Sequence, residues 1–313
     1  MILSLQLPFG REFLQIIEKK IGEKIHAYDH IQDAAAVLPE AEVIMLMGSI
    51  DPVTIKTCRR LKWLFSFSAG VEKLPFKELM EMGVRVTNTR GIHGPQIAEQ
   101  TMGMMISFSR GLNRSYRNQL EQKWDQFMTV DELTGKTLCI IGAGSIGREI
   151  ARKAKAFDLT VIGLKTHPEP MENFDQVWGI AKLHEALGLA DYTVLITPLT
   201  DQTYHLMGRA EFEAMKKSGI FINVSRGDTV DETALIEALQ KGLIAGAGLD
   251  VFHEEPLPPT HSLWKMNNVI ITPHNSGISP KMLERASSIF MEGWTCYRQG
   301  RPLPNPVNLQ RKY

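Results

Sequence analysis

Three polar residues that could carry acid–base chemistry follow predicted strands, although they lie far apart in the chain. Arg226 follows Ile-Asn-Val-Ser, Glu255 follows Leu-Asp-Val-Phe-His-Glu, and His274 follows Ile-Ile-Thr-Pro. Because the carboxyl ends of parallel strands gather at one crevice of a sheet, we expect the three side chains to be neighbours in space.

An arginine, a carboxylate and a histidine in one crevice fit hydride transfer to a 2-keto acid. The guanidinium of Arg226 can hold the substrate carboxylate and polarise the adjacent carbonyl. His274 can protonate the forming alkoxide, Glu255 can stabilise and orient the imidazolium, and a nicotinamide would supply the hydride. Singly, Arg226 could be a surface or capping residue, Glu255 a loop charge and His274 a core histidine. Their joint position at strand ends favours the catalytic interpretation.

A glycine-rich turn predicts a dinucleotide site beside that crevice. The apolar run from Leu138 to Ile141 leads into Gly142-Ala-Gly-Ser-Ile-Gly147, and an amphipathic segment follows. Strand, tight turn and helix are the context that a GxGxxG motif requires, and the helix start offers free N–H groups to a pyrophosphate. The alternative is a glycine-rich turn that binds no nucleotide. The predicted contacts are Gly142, Gly144, Ser145, Ile146 and Gly147.

The end of the next predicted strand indicates which dinucleotide to expect. A fold that binds NAD usually places an acid there, about 20 residues past the glycines, to accept hydrogen bonds from the ribose. Here the strand runs into Lys165-Thr166-His167, while Asp158 precedes the strand and Glu169 lies beyond Pro168. A lysine beside a hydroxyl would attract a 2′-phosphate, so we expect NADP to be preferred, with NAD as a second possibility. The alternative is an exposed lysine without a ligand.

The composition is that of an ordinary globular protein and argues against several other classes. The 313 residues are 43% hydrophobic and 22% charged, and the formal net charge is zero, so no long-range field favours nucleic acid or an anionic membrane. Three dispersed cysteines indicate neither a disulfide framework nor a metal site. Since neither a signal peptide nor an apolar run of ~18 residues is visible, we expect a cytoplasmic protein.

Two α/β regions are joined by a long helical stretch. Residues 1–91 and 131–275 each alternate strand-like runs with helical patterns, which favours parallel sheets and, in the second region, a doubly wound dinucleotide-binding domain. Residues 95–127 are predicted to be helical, with a methionine-rich apolar face followed by a polar segment. That polar segment carries aromatic residues, which could form a surface for a second subunit or pack on their own domain. They are Tyr116, Trp124 and Phe127.

Over nearly its whole length the chain resembles the D-isomer-specific 2-hydroxyacid dehydrogenase family. The resemblance rests on ordered motifs at compatible spacing, namely Gly142-Ala-Gly-Ser-Ile-Gly147, Thr197-Pro-Leu-Thr-Asp-Gln-Thr203, Ile222-Asn-Val-Ser-Arg-Gly227, Gly248-Leu-Asp-Val-Phe252 with Glu255-Pro256, and Thr272-Pro-His-Asn-Ser-Gly277. It implies Arg226 as the substrate binder, His274 as the acid–base residue, and Glu255 as the partner of that acid.

The resemblance also implies further binding residues. The backbone N–H groups of Ala69, Gly70 and Val71 would contact the substrate carboxylate, although this segment alone fits a simple tight turn. Asp250 would meet the nicotinamide carboxamide. Other implied cofactor contacts, besides Lys165 and Thr166, are Thr197, Pro198, Thr203, Val224, Ser225, His274 and Ser276.

The family fold implies two α/β domains. Residues 93–279 would form a Rossmann-type doubly wound NAD(P)-binding domain, inserted into a flavodoxin-like substrate domain made of residues 1–92 and 280–313. Family members are usually homodimers joined through the cofactor domain, with an extended arm like Arg110–Phe127.

The activity implied is reduction of a small 2-keto acid of the glyoxylate or hydroxypyruvate type to the D-2-hydroxy acid. Lys165-Thr166 is similar to the corresponding segment of reductases that use NADPH, although those typically carry Arg there. A D-lactate-type dehydrogenase is an alternative within the family. A non-enzymatic dinucleotide sensor is the alternative outside it, and an activity assay would separate the two.

Overall fold

The computed structural model describes residues 1–7 and 10–310. Within these ranges the chain forms two compact units. One comprises Met1–Ile92 with the segment that begins at Ser279, and the other comprises His93–Ile278. No helix in the described ranges combines the length and the apolar character that crossing a membrane would need.

The strands of the described residues are short and mostly buried on both faces. In chain order they are β1 (Ile2–Leu5), β2 (Ile25–Tyr28), β3 (Val43–Leu46), β4 (Trp63–Ser66), β5 (Arg85–Asn88), β6 (Thr137–Ile141), β7 (Thr160–Leu164), β8 (Gln176–Trp178), β9 (Tyr192–Leu195), β10 (Ile220–Asn223), β11 (Gly246–Leu249) and β12 (Val269–Ile271).

Helices connect most of these strands, as parallel pairing requires. They are α1 (Arg11–Ile21), α2 (Pro52–Thr57), α3 (Phe76–Glu81), α4 (Gly94–Ser109), α5 (Leu112–Leu120), α6 (Ser145–Lys155), α7 (Leu183–Leu189), α8 (Arg209–Ala214), α9 (Glu232–Gln240) and α10 (Met282–Arg298).

Both units are built on all-parallel sheets. The first sheet has the order β2-β1-β3-β4-β5, which is the flavodoxin-like order, and the second has the order β12-β11-β10-β9-β6-β7-β8. Numbered within its unit, the second sheet reads 3-2-1-4-5-6 with a seventh strand added, so its order reverses beside β6. This confirms the predicted fold class of a Rossmann-type doubly wound sheet together with a flavodoxin-like sheet.

Alternating residues of β6 face two separate hydrophobic cores, one on each side of the second sheet. Cys139 and Ile141 belong to a core that includes α7, α8 and α9, whereas Leu138 and Ile140 belong to a core that includes α4 and α6. The methionine-rich face of α4 is buried, as predicted for a core helix. Because both faces are covered by helices, polar side chains are displaced to the ends of the strands.

The helix α10 packs within the first unit. Phe290 stacks on Trp63 with ring centroids 5.2 Å apart, and the Tyr297 hydroxyl donates a hydrogen bond to Glu42 at 2.5 Å. That hydrogen bond is the main reason why the pKa of Glu42 lies below its usual range. Part of the first unit's core is therefore supplied by a segment distant in sequence.

The prediction of helix over residues 95–127 holds for α4 and α5 but is wrong at Gly111 and beyond Leu120. The helix breaks at Gly111, whose φ of +62° is left-handed, and α5 ends at Leu120. Residues 121–127 form no helix, because they offer no periodic apolar face to bury. Trp124 and Phe127 are 88% and 86% exposed, so neither packs on its own unit.

Candidate active site

Six neighbouring strands of the second sheet end in the segments that the sequence singled out. In sheet order these are β12, β11, β10, β9, β6 and β7. The segments that follow them are residues 272–276, 250–255, 224–226, 197–203, 142–147 and 165–166. A parallel sheet therefore brings these segments to one edge, where open α/β sheets bind ligands.

The glycine turn after β6 leaves open space in front of the start of α6. Gly142 has a φ of +107°, and a Cβ there would lie 2.7 Å from the Ile196 carbonyl oxygen, so only glycine fits. A Cβ on Gly144 would meet no atom within 4 Å, which leaves room for a ligand to approach the backbone. No side chain caps the N-terminus of α6, so its N–H groups are available to an anion.

The segment after β9 presents a buried polar atom that lacks a protein partner. The Thr197 hydroxyl oxygen is buried and makes no hydrogen bond to any described residue. Nearby, the Thr203 hydroxyl donates to the Pro198 carbonyl at 2.6 Å and fixes the loop. A buried hydroxyl without a partner is costly unless a ligand satisfies it, so this loop and the glycine turn fit a bound dinucleotide.

His274, the expected proton donor, contacts Glu255, its expected partner, in the structure. His274 Nδ1 lies 2.6 Å from Glu255 Oε2, and the other oxygen of Glu255 accepts a hydrogen bond from the Phe252 N–H at 2.9 Å. Since a carboxylate only accepts, Nδ1 is the donor, and Nε2 has no hydrogen-bond partner among the described residues. The side chains are 45% and 33% exposed, so a small substrate can reach the pair.

A buried carboxylate holds the backbone on both sides of His274. Asp250 is fully buried, and its oxygens accept hydrogen bonds from the Thr272 hydroxyl at 2.5 Å and from the N–H groups of Asn275 and Ser276 at 3.1 Å. The His274 N–H donates to the Asp250 carbonyl at 2.8 Å. His274 has a φ of +49°, which is uncommon for a residue other than glycine, and these bonds maintain it.

The side chain of Asn223, buried at the end of β10, organises the turn that carries Arg226. Its amide oxygen accepts hydrogen bonds from the Ser225 N–H at 3.0 Å and from the Ser225 hydroxyl at 2.8 Å, and its amide nitrogen donates to the Arg226 carbonyl at 3.1 Å. The half-buried Arg226 guanidinium donates to the Ser225 carbonyl at 2.7 Å. The backbone that carries Arg226 is thus fixed by buried hydrogen bonds.

The loops that carry Arg226 and Glu255 contact each other. A Cβ on Gly227 would overlap the Phe252 carbonyl, so glycine is required for this close approach. His253 Nδ1 lies 2.5 Å from Asp228 Oδ1, and this carboxylate is the main reason why the pKa of His253 is raised. Tight backbone contact and an exposed ion pair therefore join the two loops.

The end of β7 contains an acid that the sequence analysis set aside. Lys165 Nζ lies 2.8 Å from Glu169 Oε1, although Pro168 intervenes in the sequence. The hydrogen bond from Lys165 holds the pKa of Glu169 below its usual range, and Arg148 adds to the effect. No local signal in the sequence indicated this pair, because a spacing of four residues brings charges together on a helix and this segment is not helical. Thr166 is exposed at this end of the sheet.

In the first unit, the segment after β4 contains three consecutive backbone donors of interest. The N–H groups of Ala69, Gly70 and Val71 make no hydrogen bond to any residue that the structure describes. The Ala69 carbonyl accepts a hydrogen bond from the Asn88 side chain at 2.7 Å, which fixes the turn. The role of these N–H groups toward a carboxylate stays a prediction.

The remaining predicted contacts lie in the same strand-end segments. Val224 and Ser225 are 4% and 3% exposed, and Ser276 is 5% exposed. The hydrogen bonds of Ser225 and Ser276 serve the turns that carry Arg226 and His274, whereas the Val224 N–H donates to the Leu195 carbonyl at 3.2 Å. A role of these residues toward the cofactor stays a prediction. Within the described ranges, His, Cys, Asp and Glu side chains nowhere gather in a group of three suited to a metal ion.

Comparison with known proteins gives a consistent result. Residues 102–276 match the family model described as "D-isomer specific 2-hydroxyacid dehydrogenase, NAD binding domain". The chain is 33% identical to a glyoxylate reductase of Korarchaeum cryptofilum over 86% of this chain and 82% of the relative. It is 37% identical to glyoxylate/hydroxypyruvate reductase B of an Enterobacter species over 73% of each chain.

A solved structure extends this likeness to the full described fold. The crystal structure of a D-isomer-specific 2-hydroxyacid dehydrogenase family protein from Aeromonas salmonicida superposes with a TM-score of 0.86. It is 31% identical in sequence and covers 98% of this chain and 99% of its own. The similarity therefore includes both sheets.

Proposed function

The chain belongs to the D-isomer-specific 2-hydroxyacid dehydrogenase family and is an NAD(P)-dependent oxidoreductase, and we propose that it reduces a small 2-keto acid to the D-2-hydroxy acid. The observation that carries this proposal is the 2.6 Å contact between His274 Nδ1 and Glu255, on a backbone that Asp250 holds in place. Glyoxylate and hydroxypyruvate are the proposed substrates, because relatives at 33% and 37% identity are named for them.

His274 is proposed as the proton donor to the substrate oxygen. Glu255 accepts from Nδ1, which directs Nε2 outward and stabilises the imidazolium. When bound, a reduced nicotinamide supplies the hydride. In the reverse direction the same imidazole would accept the hydroxyl proton. Since Glu255 is fixed by the Phe252 N–H, the imidazole is oriented before substrate arrives.

Arg226 is proposed to bind the substrate carboxylate and to polarise the adjacent carbonyl. A guanidinium is suited to both tasks because its fork can make two parallel hydrogen bonds to a carboxylate. The hydrogen bonds of Asn223 keep the Arg226 backbone in one position. The backbone N–H groups of Ala69, Gly70 and Val71 are proposed as further carboxylate donors, supported by their lack of protein partners within the described ranges.

A dinucleotide is proposed to bind along the carboxyl edge of the second sheet. The open space at Gly144, the uncapped start of α6 and the unpartnered Thr197 hydroxyl support this site. Lys165 and Thr166 support a preference for NADP over NAD. The other proposed contacts are Gly142, Ser145, Ile146, Gly147, Pro198, Thr203, Val224, Ser225, Asp250, His274 and Ser276.

A homodimer joined through the second unit is also proposed. Its support is a set of exposed apolar side chains that follow α4, while Arg117 of the same segment is fixed by hydrogen bonds to Asn267 at 2.8 and 2.9 Å. Light scattering after gel filtration is expected to give twice the mass of the chain, and a monomer would contradict the proposal. The exposed side chains are Leu112, Tyr116, Leu120, Trp124 and Phe127.

The test of the reaction is a panel of keto acids against both reduced dinucleotides. Glyoxylate, hydroxypyruvate and pyruvate would each be assayed with NADPH and NADH by the near-ultraviolet absorbance of reduced nicotinamide. We expect turnover of glyoxylate or hydroxypyruvate, with chiral analysis giving D-glycerate from the latter. Tight dinucleotide binding without turnover of any of the three would contradict the proposed substrates.

A further inference from the structure

The end of β7 carries a paired charge, although the local sequence Lys165-Thr166 indicates a single cation. Lys165-Thr166 alone presents one cation, but the structure places the Glu169 carboxylate 2.8 Å from the Lys165 ammonium. Lys165 is also close to the Met171 sulfur, at 3.9 Å, so the turn after β7 folds back over the lysine. The lysine therefore already has a counter-ion within this chain.

Glu169 also borders a cleft at the start of the nucleotide-binding helix. The cleft has a volume of about 450 Å³, and its lining includes Ser145 and Arg148 of α6 on one side and residues 169–173 on the other. Ser145 is the first residue after Gly144, so this cleft adjoins the open space at the glycine turn. The Arg148 guanidinium forms no salt bridge with any residue in the described part of the chain.

We propose that Glu169 competes with the 2′-phosphate of NADP for Lys165 and thereby sets the choice between the two dinucleotides. The inference rests on the proposed function, because it assumes that a dinucleotide binds at this edge. A ribose 2′-phosphate carries charge of the same sign as Glu169 and needs the cation that Glu169 holds. A ribose hydroxyl instead can donate a hydrogen bond to a carboxylate, which favours NAD.

Arg148 would provide a second cation for the 2′-phosphate. It lies on the α6 side of the cleft, and its charge already acts on Glu169. When the 2′-phosphate displaces the carboxylate, Lys165 and Arg148 would both face it. Because Glu169 is 62% exposed, the carboxylate can swing away without leaving a buried charge unpaired.

The matched variants are Glu169→Gln and Glu172→Gln. Both remove one exposed carboxylate from the lining of the same cleft, but only Glu169 contacts Lys165. The measurement is direct binding of NADPH and NADH to the full chain by nucleotide fluorescence, without keto acid. Titrations of 2′,5′-ADP and of ADP by calorimetry would isolate the adenosine half of the site.

We expect Glu169→Gln to raise the affinity for NADPH relative to NADH by about tenfold, the effect of one nearby charge at an exposed site. Glu172→Gln should change the affinity for NADPH relative to NADH by less than about twofold. Lys165→Gln should lower the affinity for NADPH and leave the affinity for NADH unchanged. The increase in relative NADPH affinity caused by Glu169→Gln should become smaller as salt is added, since exposed charges are screened.

The inference would be overturned if the wild type and Glu169→Gln showed the same affinity for NADPH relative to NADH. It would also be overturned if Glu169→Gln and Glu172→Gln changed that relative affinity equally. An expected shift in a protein that turns over no keto acid would support the inference and contradict the proposed substrates. Absence of dinucleotide binding would overturn the inference together with the proposed function.

Discussion

The carboxyl ends of β10–β12 and of β7 lie on the same sheet but are organised in opposite ways. Around Arg226 and His274, the positioning groups are the buried side chains of Asn223 and Asp250, which are 1% and 0% exposed. At the end of β7 the organising contact is a pair on the surface, in which the Glu169 side chain is 62% exposed.

The difference reflects what each region must do. Proton transfer requires a donor atom held within a narrow range of distance and angle, and buried hydrogen bonds provide that precision because no water replaces them. Recognition of a phosphate requires mainly charge, which exposed side chains supply through several conformations. We therefore expect substitutions near β10–β12 to change the rate of turnover and substitutions near β7 to change which dinucleotide binds.

Among Arg226, Glu255 and His253, the largest effect is expected when Arg226 is replaced. Arg226→Gln should lower kcat/KM for the keto acid by about a thousandfold, because a charge-assisted hydrogen bond to the substrate carboxylate is lost. Arg226→Lys should recover part of that loss. Steady-state kinetics with a fixed dinucleotide gives the values, and Arg209→Gln, at an exposed pair with Glu237, is the control. A decrease of less than tenfold in Arg226→Gln would show that Arg226 does not bind substrate.

A smaller loss is expected for Glu255. Glu255→Gln keeps the shape of the side chain but removes the charge that stabilises the imidazolium, so kcat should fall by about a hundredfold. The neighbouring Glu254→Gln removes an adjacent exposed carboxylate and should leave kcat unchanged. Equal kinetics in the two variants would mean that the 2.6 Å contact with His274 plays no part in turnover.

The smallest effect is expected at the exposed pair between the two loops. Asp228 raises the pKa of His253 above its ordinary value of 6.5, so the charged pair stabilises the fold fully below that pH. The contribution is lost as the pH rises through the raised pKa. His253→Gln should therefore lower Tm by about 1 °C in mild acid and not at alkaline pH, as measured by calorimetry. Asp228→Asn is the matched variant, and a Tm difference independent of pH would contradict this assignment.

Much of the fold was predictable because its signals are local. Short apolar runs separated by amphipathic segments predict parallel sheets, and the glycine turn marks the start of the nucleotide-binding helix. The rule that strand ends converge then predicts that His274 and Glu255 are neighbours, which the structure confirms at 2.6 Å. Periodicity overestimated the helical stretch, since the left-handed Gly111 separates α4 from α5 and α5 ends at Leu120.

The side-chain contacts that could not be predicted are those formed between or within loops. Glu169 returns to Lys165 across a proline, and His253 reaches Asp228 across 25 positions of the chain. No local sequence pattern specifies such contacts, because they depend on the path that each loop takes after its strand ends. The sequence also gives no clear signal for the short strand β8, because its three residues at the edge of the sheet are exposed or only half buried.

His274 is proposed to transfer the proton to the substrate oxygen, and the variant His274→Asn removes that proton donor. Dinucleotide affinity and single-turnover reduction of the keto acid would be measured on the same preparation. We expect a dinucleotide dissociation constant within about threefold of the wild type and a reduction rate at least about a thousandfold lower, because the acid is removed while the glycine turn is intact. A variant that keeps more than about one tenth of the wild-type rate would contradict the assignment of His274.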